Sequence, residues 1–234
     1  TIIKAASSFY YNPGTPGFAT DKFLFSFKSN SVVAGNQTIK NFTIDGDGKK
    51  VHGGIYVNNR NNIVVENVKI QYVNFSGLWF WGVSNSAIKG LKLKDCAWGS
   101  AGWCSGALQI ANGSNVDISE FDIDEGRGYG IKNLGQNQNS AFPNIKLHDG
   151  RVSGAPAGAW NNGSAPNITI EFWGSSFGGT EIYNCYLDNH VSLVTYPVVQ
   201  RTTPLKIYNN VFDILGPRAK GNGYGLELSV YDVE

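Results

Sequence analysis

Apolar and polar residues alternate along this chain in short bursts rather than in long waves. The stretch Ile39-Lys40-Asn41-Phe42-Thr43-Ile44-Asp45 shows the unit: a few alternating residues, one small polar residue, then a second alternating run. The unit returns at residues 65–71, 88–94, 118–124, 147–153, 182–188 and 207–213. A period of two is the mark of strands, whose successive side chains point to opposite faces, and none of these segments calls for a helix. Each unit is followed, roughly ten residues or more downstream, by a further strand whose first inward residue reads Ile55, Leu78, Leu108, Ile131, Ile170, Leu193 or Leu226. The steps Ile55 to Leu78, Leu108 to Ile131 and Ile170 to Leu193 are equal and the shortest, and the surplus in the others is loop. The minimum turn of the pattern is thus about 23 residues, within the span of solenoid repeats.

A turn this short, holding three strands, has no interior of its own. Stacking such turns buries their inward side chains as one continuous column. The expectation is therefore a single all-β domain over residues 1–234, a right-handed parallel β-helix of about seven coils. The bend residues Asn41, Asn67, Asp149, Asn184 and Asn209 are of the types that tolerate a left-handed backbone. This column resembles the asparagine ladder of pectate-lyase-like β-helices, and the resemblance implies that each side-chain amide bonds backbone in the next coil. Gly90 and Glu120 depart from it. Residues 1–6 read as an early strand and residues 225–230 as the second-part strand of the final coil. Neither end shows the cap a solenoid needs, which predicts further coils or another domain of the same chain after Glu234.

Composition narrows the function classes. Hydrophobic residues make up 41% of the chain and charged ones 16%, enough apolar material for one ordered core. Lys plus Arg (19) nearly cancel Asp plus Glu (18), which leaves no basic field for nucleic acid or an anionic membrane. No apolar run reaches the roughly 18 to 20 residues of a membrane span, and the first residues carry no signal-peptide pattern. Methionine is absent even at position 1, as in a processed secreted protein or a piece of a longer one; an extracellular or cell-surface location is the expectation that goes with the polysaccharide reading below. Cys96 and Cys104 flank a loop that could close as a disulfide in an oxidising compartment, or they are two separate buried thiols. Cys185 stands where a small apolar residue would pack.

In the families the repeat resembles, substrate lies across the sheet of second-part strands, bordered by the long loops that precede them. The outward positions of those strands form two columns. One is Tyr56, Trp79, Gln109, Lys132, Glu171, Val194 and Glu227; the other is Asn58, Trp81, Ala111, Leu134, Trp173, Tyr196 and Ser229. Large exposed aromatics need a reason, and sugar rings supply one. Tyr56, Trp79, Trp81, Trp173 and Tyr196 would be stacking platforms of a polysaccharide groove. Gln109, Lys132 and Glu171 would address hydroxyls or a carboxylate, and His190 borders the groove. The alternative is that loops such as residues 98–103 fold over these rings and make a satellite core.

Lys132 follows the charged turn Asp122-Ile123-Asp124-Glu125-Gly126-Arg127 and precedes the longest insertion. This arrangement resembles the calcium-dependent chondroitinase B and alginate-lyase group. The resemblance implies Asp124 and Glu125 as calcium ligands, Lys132 as the base that takes a uronate C5 proton, Arg127 or Arg151 nearby, and departure of the glycosidic oxygen by β-elimination. Here the acids lie in the turn rather than on the lysine's own strand. The alternative for Lys132 is an exposed cross-strand ion pair with Glu171, worth under about 1 kcal/mol. A paired-carboxylate hydrolysis through Glu171 and Asp124 is geometrically open. His52, His148 and His190 lack metal-ligand spacing and read as loop or turn residues. No Gly-His-Gly motif and no phosphate-cradling glycine loop opening a helix occurs. Asn-x-Ser/Thr triplets start at Asn36, Asn41, Asn74, Asn112, Asn162 and Asn167, of which Asn41 is explained by the bend ladder. Two functions are expected from this: a uronate-polysaccharide lyase or epimerase, or a non-catalytic glycan-binding or structural module of a larger surface protein or complex.

Overall fold

The computed structural model describes residues 1–6, 22–48, 51–97, 106–124, 129–133, 143–153, 168–174, 178–187, 190–195, 203–213 and 226–229. Its strands are β1 (Ile2–Lys4), β2 (Phe23–Ala34), β3 (Thr38–Asp45), β4 (Gly53–Asn61), β5 (Val64–Gln71), β6 (Leu78–Trp81), β7 (Ser84–Lys89), β8 (Lys92–Lys94), β9 (Gly106–Ala111), β10 (Ser114–Ser119) and β11 (Asp122–Asp124). The series continues with β12 (Tyr129–Asn133), β13 (Ile145–His148), β14 (Arg151–Ser153), β15 (Ile168–Gly174), β16 (Glu181–Tyr183), β17 (Tyr186–Leu187), β18 (His190–Thr195), β19 (Lys206–Tyr208), β20 (Val211–Phe212) and β21 (Leu226–Ser229).

The paired strands are parallel and lie one coil above another, as a right-handed parallel β-helix requires. One sheet has eight strands in the order β2-β4-β6-β9-β12-β15-β18-β21. The other has thirteen among the described residues: two stacks, β7-β10-β13-β16-β19 and β8-β11-β14-β17-β20, meet in β5, which pairs in turn with β3, and β3 with β1. The first half of β5 pairs with β7 and its second half with β8, so the bend at Asn67 divides one strand between two faces.

All seven bend positions adopt the left-handed backbone: Asn41 (φ 61), Asn67 (51), Gly90 (66), Glu120 (52), Asp149 (53), Asn184 (54) and Asn209 (55). Glu120 therefore keeps the bend, and its carboxylate meets Lys89 at 3.3 Å. The described ladder bond corrects the expected amide-to-backbone arrangement: Asn184 Nδ2 donates to the Asp149 carboxylate at 3.1 Å, side chain to side chain. A second ladder stands where the sequence pattern gave no expectation. Asn62 donates to Asn36 (3.0 Å), Asn115 to Asn85 (3.0 Å) and Asn144 to Asn115 (2.9 Å), all with positive φ.

Inward residues stack in columns. Ile44, Ile70, Leu93, Ile123, Val152 and Leu187 follow one another in register, each at most 1% exposed. Burial of each such side chain contributes about 1.5–3 kcal/mol. The eight-stranded sheet differs from expectation in two ways. It begins with β2, one strand earlier than the second-part pattern indicates. Near its end Ile170 pairs with Val191, and Leu193 pairs with Phe172 and Leu228. Val191 falls two positions before Leu193, so this coil is shorter than the minimum the repeat indicates. Both Val191 and Leu193 are apolar and inward, and alternation alone cannot choose between them. A two-residue slip preserves which side chains face inward.

Candidate functional site

The outward column of the eight-stranded sheet is Ser26, Tyr56, Trp79, Gln109, Lys132, Glu171, Ser192 and Glu227. The slip puts Ser192 where Val194 was expected and moves Val194 level with Trp173. Neighbouring members are one strand spacing apart, about 4.8 Å.

Parity is as expected, but exposure is not. Tyr56 is 6% exposed, Trp79 1% and Gln109 0%, so none of the three is an open platform. Tyr56 and Trp79 form a satellite core with Phe23 and Phe75. The Trp79 ring lies 5.1 Å from Tyr56, 5.7 Å from Phe75 and 6.0 Å from Phe23, all tilted or edge-on. Phe23 from β2 and Phe75 from the turn before β6 lie over the sheet because aromatic area this large is more stable out of water. Burial pushes the Tyr56 phenol up to about 12. The Lys28 ammonium lies 5.6 Å from the Tyr56 ring centroid. Trp81 packs against Trp79 at 5.7 Å and stays half-buried, the aromatic of this group with an edge in solvent.

Beyond this cluster the column turns polar. Gln109 Nε2 donates to Gly106 O at 3.5 Å, while its buried Oε1 has no hydrogen-bond partner among the described residues. Lys132 pairs with Gln109 on one side and Glu171 on the other. Glu171 is 7% exposed, more withdrawn than a rim carboxylate. The backbone places Trp173 opposite Val194, and His190, opposite Ile168, at the start of β18. Arg127, Glu125, Tyr196 and Leu134 lie outside the described residues.

Two expected partners of Lys132 are elsewhere. Asp124 ends β11 on the thirteen-stranded sheet, in register with Lys94 and Ser153. Arg151 opens β14 on the same sheet, opposite Asp122 and Tyr186, its guanidinium 6.0 Å from the Tyr186 ring. Of the two expected calcium ligands, Asp124 lies in register with Lys94 and Glu125 lies outside the described residues; among the described residues no three His, Cys, Asp or Glu side chains converge to hold a metal.

The cysteines and histidines are also placed. Cys96 Sγ is buried 3.5 Å from Lys94 O, and Cys104 lies outside the described residues. Burial pushes the Cys185 thiol up to about 11, which fits an inert packing residue. His52 is 1% exposed and stacks on Phe75 at 5.1 Å. His148 is no plain turn residue: both of its ring nitrogens face carboxylates.

These features agree with what the chain resembles as a whole. It matches the family model for a right handed beta helix region over residues 27–212 and belongs to that family. Among curated proteins none matches. Among solved structures it is similar to a pectate lyase from Bacillus sp. N165, determined in complex with trigalacturonate, with 14% identity and a TM-score of 0.35 over 81% of this chain and 73% of that one. Among the described residues no helix is long and apolar enough to cross a membrane.

Proposed function

We propose that this β-helix is a secreted or cell-surface carbohydrate-active protein that engages an acidic polysaccharide along the outer face of its eight-stranded sheet. The observation that carries this reading is the register Gln109–Lys132–Glu171 on three successive strands. Gln109 and Glu171 are buried, so on this reading the sugar contact falls to Lys132 and its two neighbours flank it. In the most specific form the protein is a uronate lyase or epimerase. Lys132, as the neutral amine, takes the proton from C5, next to the sugar's own carboxyl group. In a lyase the electron pair left at C5 forms the C4–C5 double bond as the C4–O bond breaks, and the departing oxygen gains a proton from the Lys132 ammonium or solvent. In an epimerase a proton returns to C5 from the other face. No step is routed through calcium.

A second reading, a non-catalytic glycan-binding module, is favoured by two observations. Lys132 is flanked in register by Gln109 and Glu171, an amide and a carboxylate, residue types suited to holding sugar hydroxyls. Asp124 and Arg151 stand on the other sheet. One experiment separates the readings. The protein is incubated with alginate, chondroitin and pectate while the ultraviolet absorbance of unsaturated uronate and the NMR-detected epimer ratio are followed. Product that disappears in Lys132→Ala supports the enzyme. Binding on a glycan array without turnover, weakened in Trp81→Ala or Trp173→Ala, supports the module; neither turnover nor binding removes both.

A further inference from the structure

His148 ends β13 on the outer face of the thirteen-stranded sheet, its side chain 17% exposed. Its Nδ1 lies 2.8 Å from Asp149 Oδ2 and its Nε2 lies 3.1 Å from Asp117 Oδ1. Asp117 belongs to β10, one coil earlier. Asp149 is the bend residue of His148's own coil, and its other oxygen accepts the Asn184 amide from the coil that follows. The ring is held flat against Tyr183, centroids 4.7 Å apart and planes within 2°, and Tyr183 stacks in turn on Tyr208 at 5.0 Å. One imidazole therefore sits at a node joining three consecutive coils.

The proton count at that node is fixed by chemistry. A carboxylate only accepts, and a neutral imidazole has a single N–H; both nitrogens can donate only from the imidazolium. Remove the proton and one nitrogen turns a lone pair on a carboxylate oxygen at hydrogen-bond distance. The other charged and titratable groups around the ring have their own partners or positions. Lys146 of β13 lies in register with Asp117 and Glu181. Glu120 at the preceding bend is engaged by Lys89, and Glu181 of β16 accepts from the Tyr208 hydroxyl at 3.1 Å. The field is felt by the neighbours. The His148 hydrogen bond first, then that of Asn184, holds the Asp149 carboxyl below the usual carboxylate range. Burial first, then the charges of Asp117, Asp149 and Glu181, pushes the Tyr183 phenol up.

We propose that His148 is a proton-operated clasp: charged, it ties Asp117 and the Asp149–Asn184 bend pair together across three coils, and neutral, it releases one of the two carboxylates. The sign follows from the two halves. The Asp149 half is present once the carboxylate is ionised and is lost as pH falls through its depressed value. The imidazolium half requires an N–H on both ring nitrogens, since each faces a carboxylate oxygen. The clasp is closed with the ring protonated and open with it neutral.

The test uses the whole chain. Thermal unfolding of the wild type and of His148→Gln is compared at about pH 5 and about pH 8, on either side of the range where imidazoles change charge. The wild type should lead the variant by roughly 2–4 °C more at the lower pH, and Asp117→Asn should shrink that lead. A lead that is the same at both pH values overturns the proposal. Should His148→Gln fail to fold, nitrogen NMR of the wild-type ring decides. Two protonated ring nitrogens in the mildly acidic sample support the clasp, and a neutral ring there refutes it.

Discussion

Asn184 donates its amide to the Asp149 carboxylate across 3.1 Å, and the two residues occupy the same bend of successive coils with φ of 54° and 53°. Each side chain thus serves twice, by tolerating the left-handed backbone and by bonding the neighbouring coil.

Substitutions at Asn184 separate the two contributions. Asn184→Gly keeps the backbone and loses the bond, and should cost about 1 kcal/mol. Asn184→Ala loses the bond and keeps a Cβ in the left-handed conformation without the short polar side chain that makes it tolerable, adding about 1 kcal/mol relative to glycine. Denaturant midpoints check the difference; equal losses for Ala and Gly would mean that the bend imposes no backbone demand.

Two glycines offer a comparison of strain with space. Gly48 has φ +74 and open surroundings, so Gly48→Ala should cost about 1 kcal/mol of backbone strain. A Cβ on Gly113 would lie 2.1 Å from the Val83 carbonyl oxygen of the coil below. Backbone cannot step aside as a side chain can, so Gly113→Ala should cost about 3 kcal/mol or more. Soluble yield and circular dichroism melts of the two variants test the ranking.

Trp79 now belongs to the core rather than to a sugar platform. Trp79→Ala should lower stability by about 3–5 kcal/mol, and Trp81→Ala by less, because Trp81 keeps an exposed edge. Equal and small losses in chemical denaturation would return Trp79 to the surface role that its outward parity suggests.

That parity shows where sequence reading stops. Alternation identified the inward columns, since an apolar residue at Ile70, Leu93 and Ile123 repeats with the coil, and the bend residues announced themselves by type. It also placed Tyr56, Trp79 and Gln109 correctly on the outer side of their sheet. What covers that side was not legible, because Phe23 and Phe75 come from segments outside the recurring unit. Val191 and Leu193 are equally apolar, so the last coils could be aligned two residues apart without breaking the pattern. The His148 node was hidden for another reason: Asp117 is 31 residues earlier, and the length of the intervening coil is set by its insertion, not by the repeat.

Charges on the thirteen-stranded sheet carry a register signal of their own. Lys92 lies opposite Asp122, which lies opposite Arg151, while Lys92 also neighbours Lys69. Asp122→Lys would set like charges against both Lys92 and Arg151 and should cost about 0.2–1 kcal/mol for each pair. Adding Lys92→Glu restores attraction to residue 122 and turns the Lys69 contact attractive, so the double variant should recover most of the loss. A double-mutant cycle in low salt, repeated in high salt where the exposed pair is screened, checks both statements.

The last prediction concerns alkaline solution. Burial among Phe23, Phe75 and Trp79 raises the Tyr56 phenol from its ordinary value of 10.0 to about 12. In the unfolded chain the same phenol ionises near its ordinary value, so between the two values the unfolded state sheds a proton that the folded state retains. The stabilising contribution is therefore complete below pH 10.0 and is lost as pH rises through about 12. Tyr56→Phe removes this term and leaves the raised phenols of Tyr183 and Tyr208 and the Cys185 thiol in place as a common background. Relative to the wild type, Tyr56→Phe should gain stability steadily across that window. Denaturant midpoints of the two proteins, taken at several alkaline pH values, give the answer. A gap between them that does not change with pH would mean that the Tyr56 hydroxyl meets water in the folded protein and that the satellite core is open.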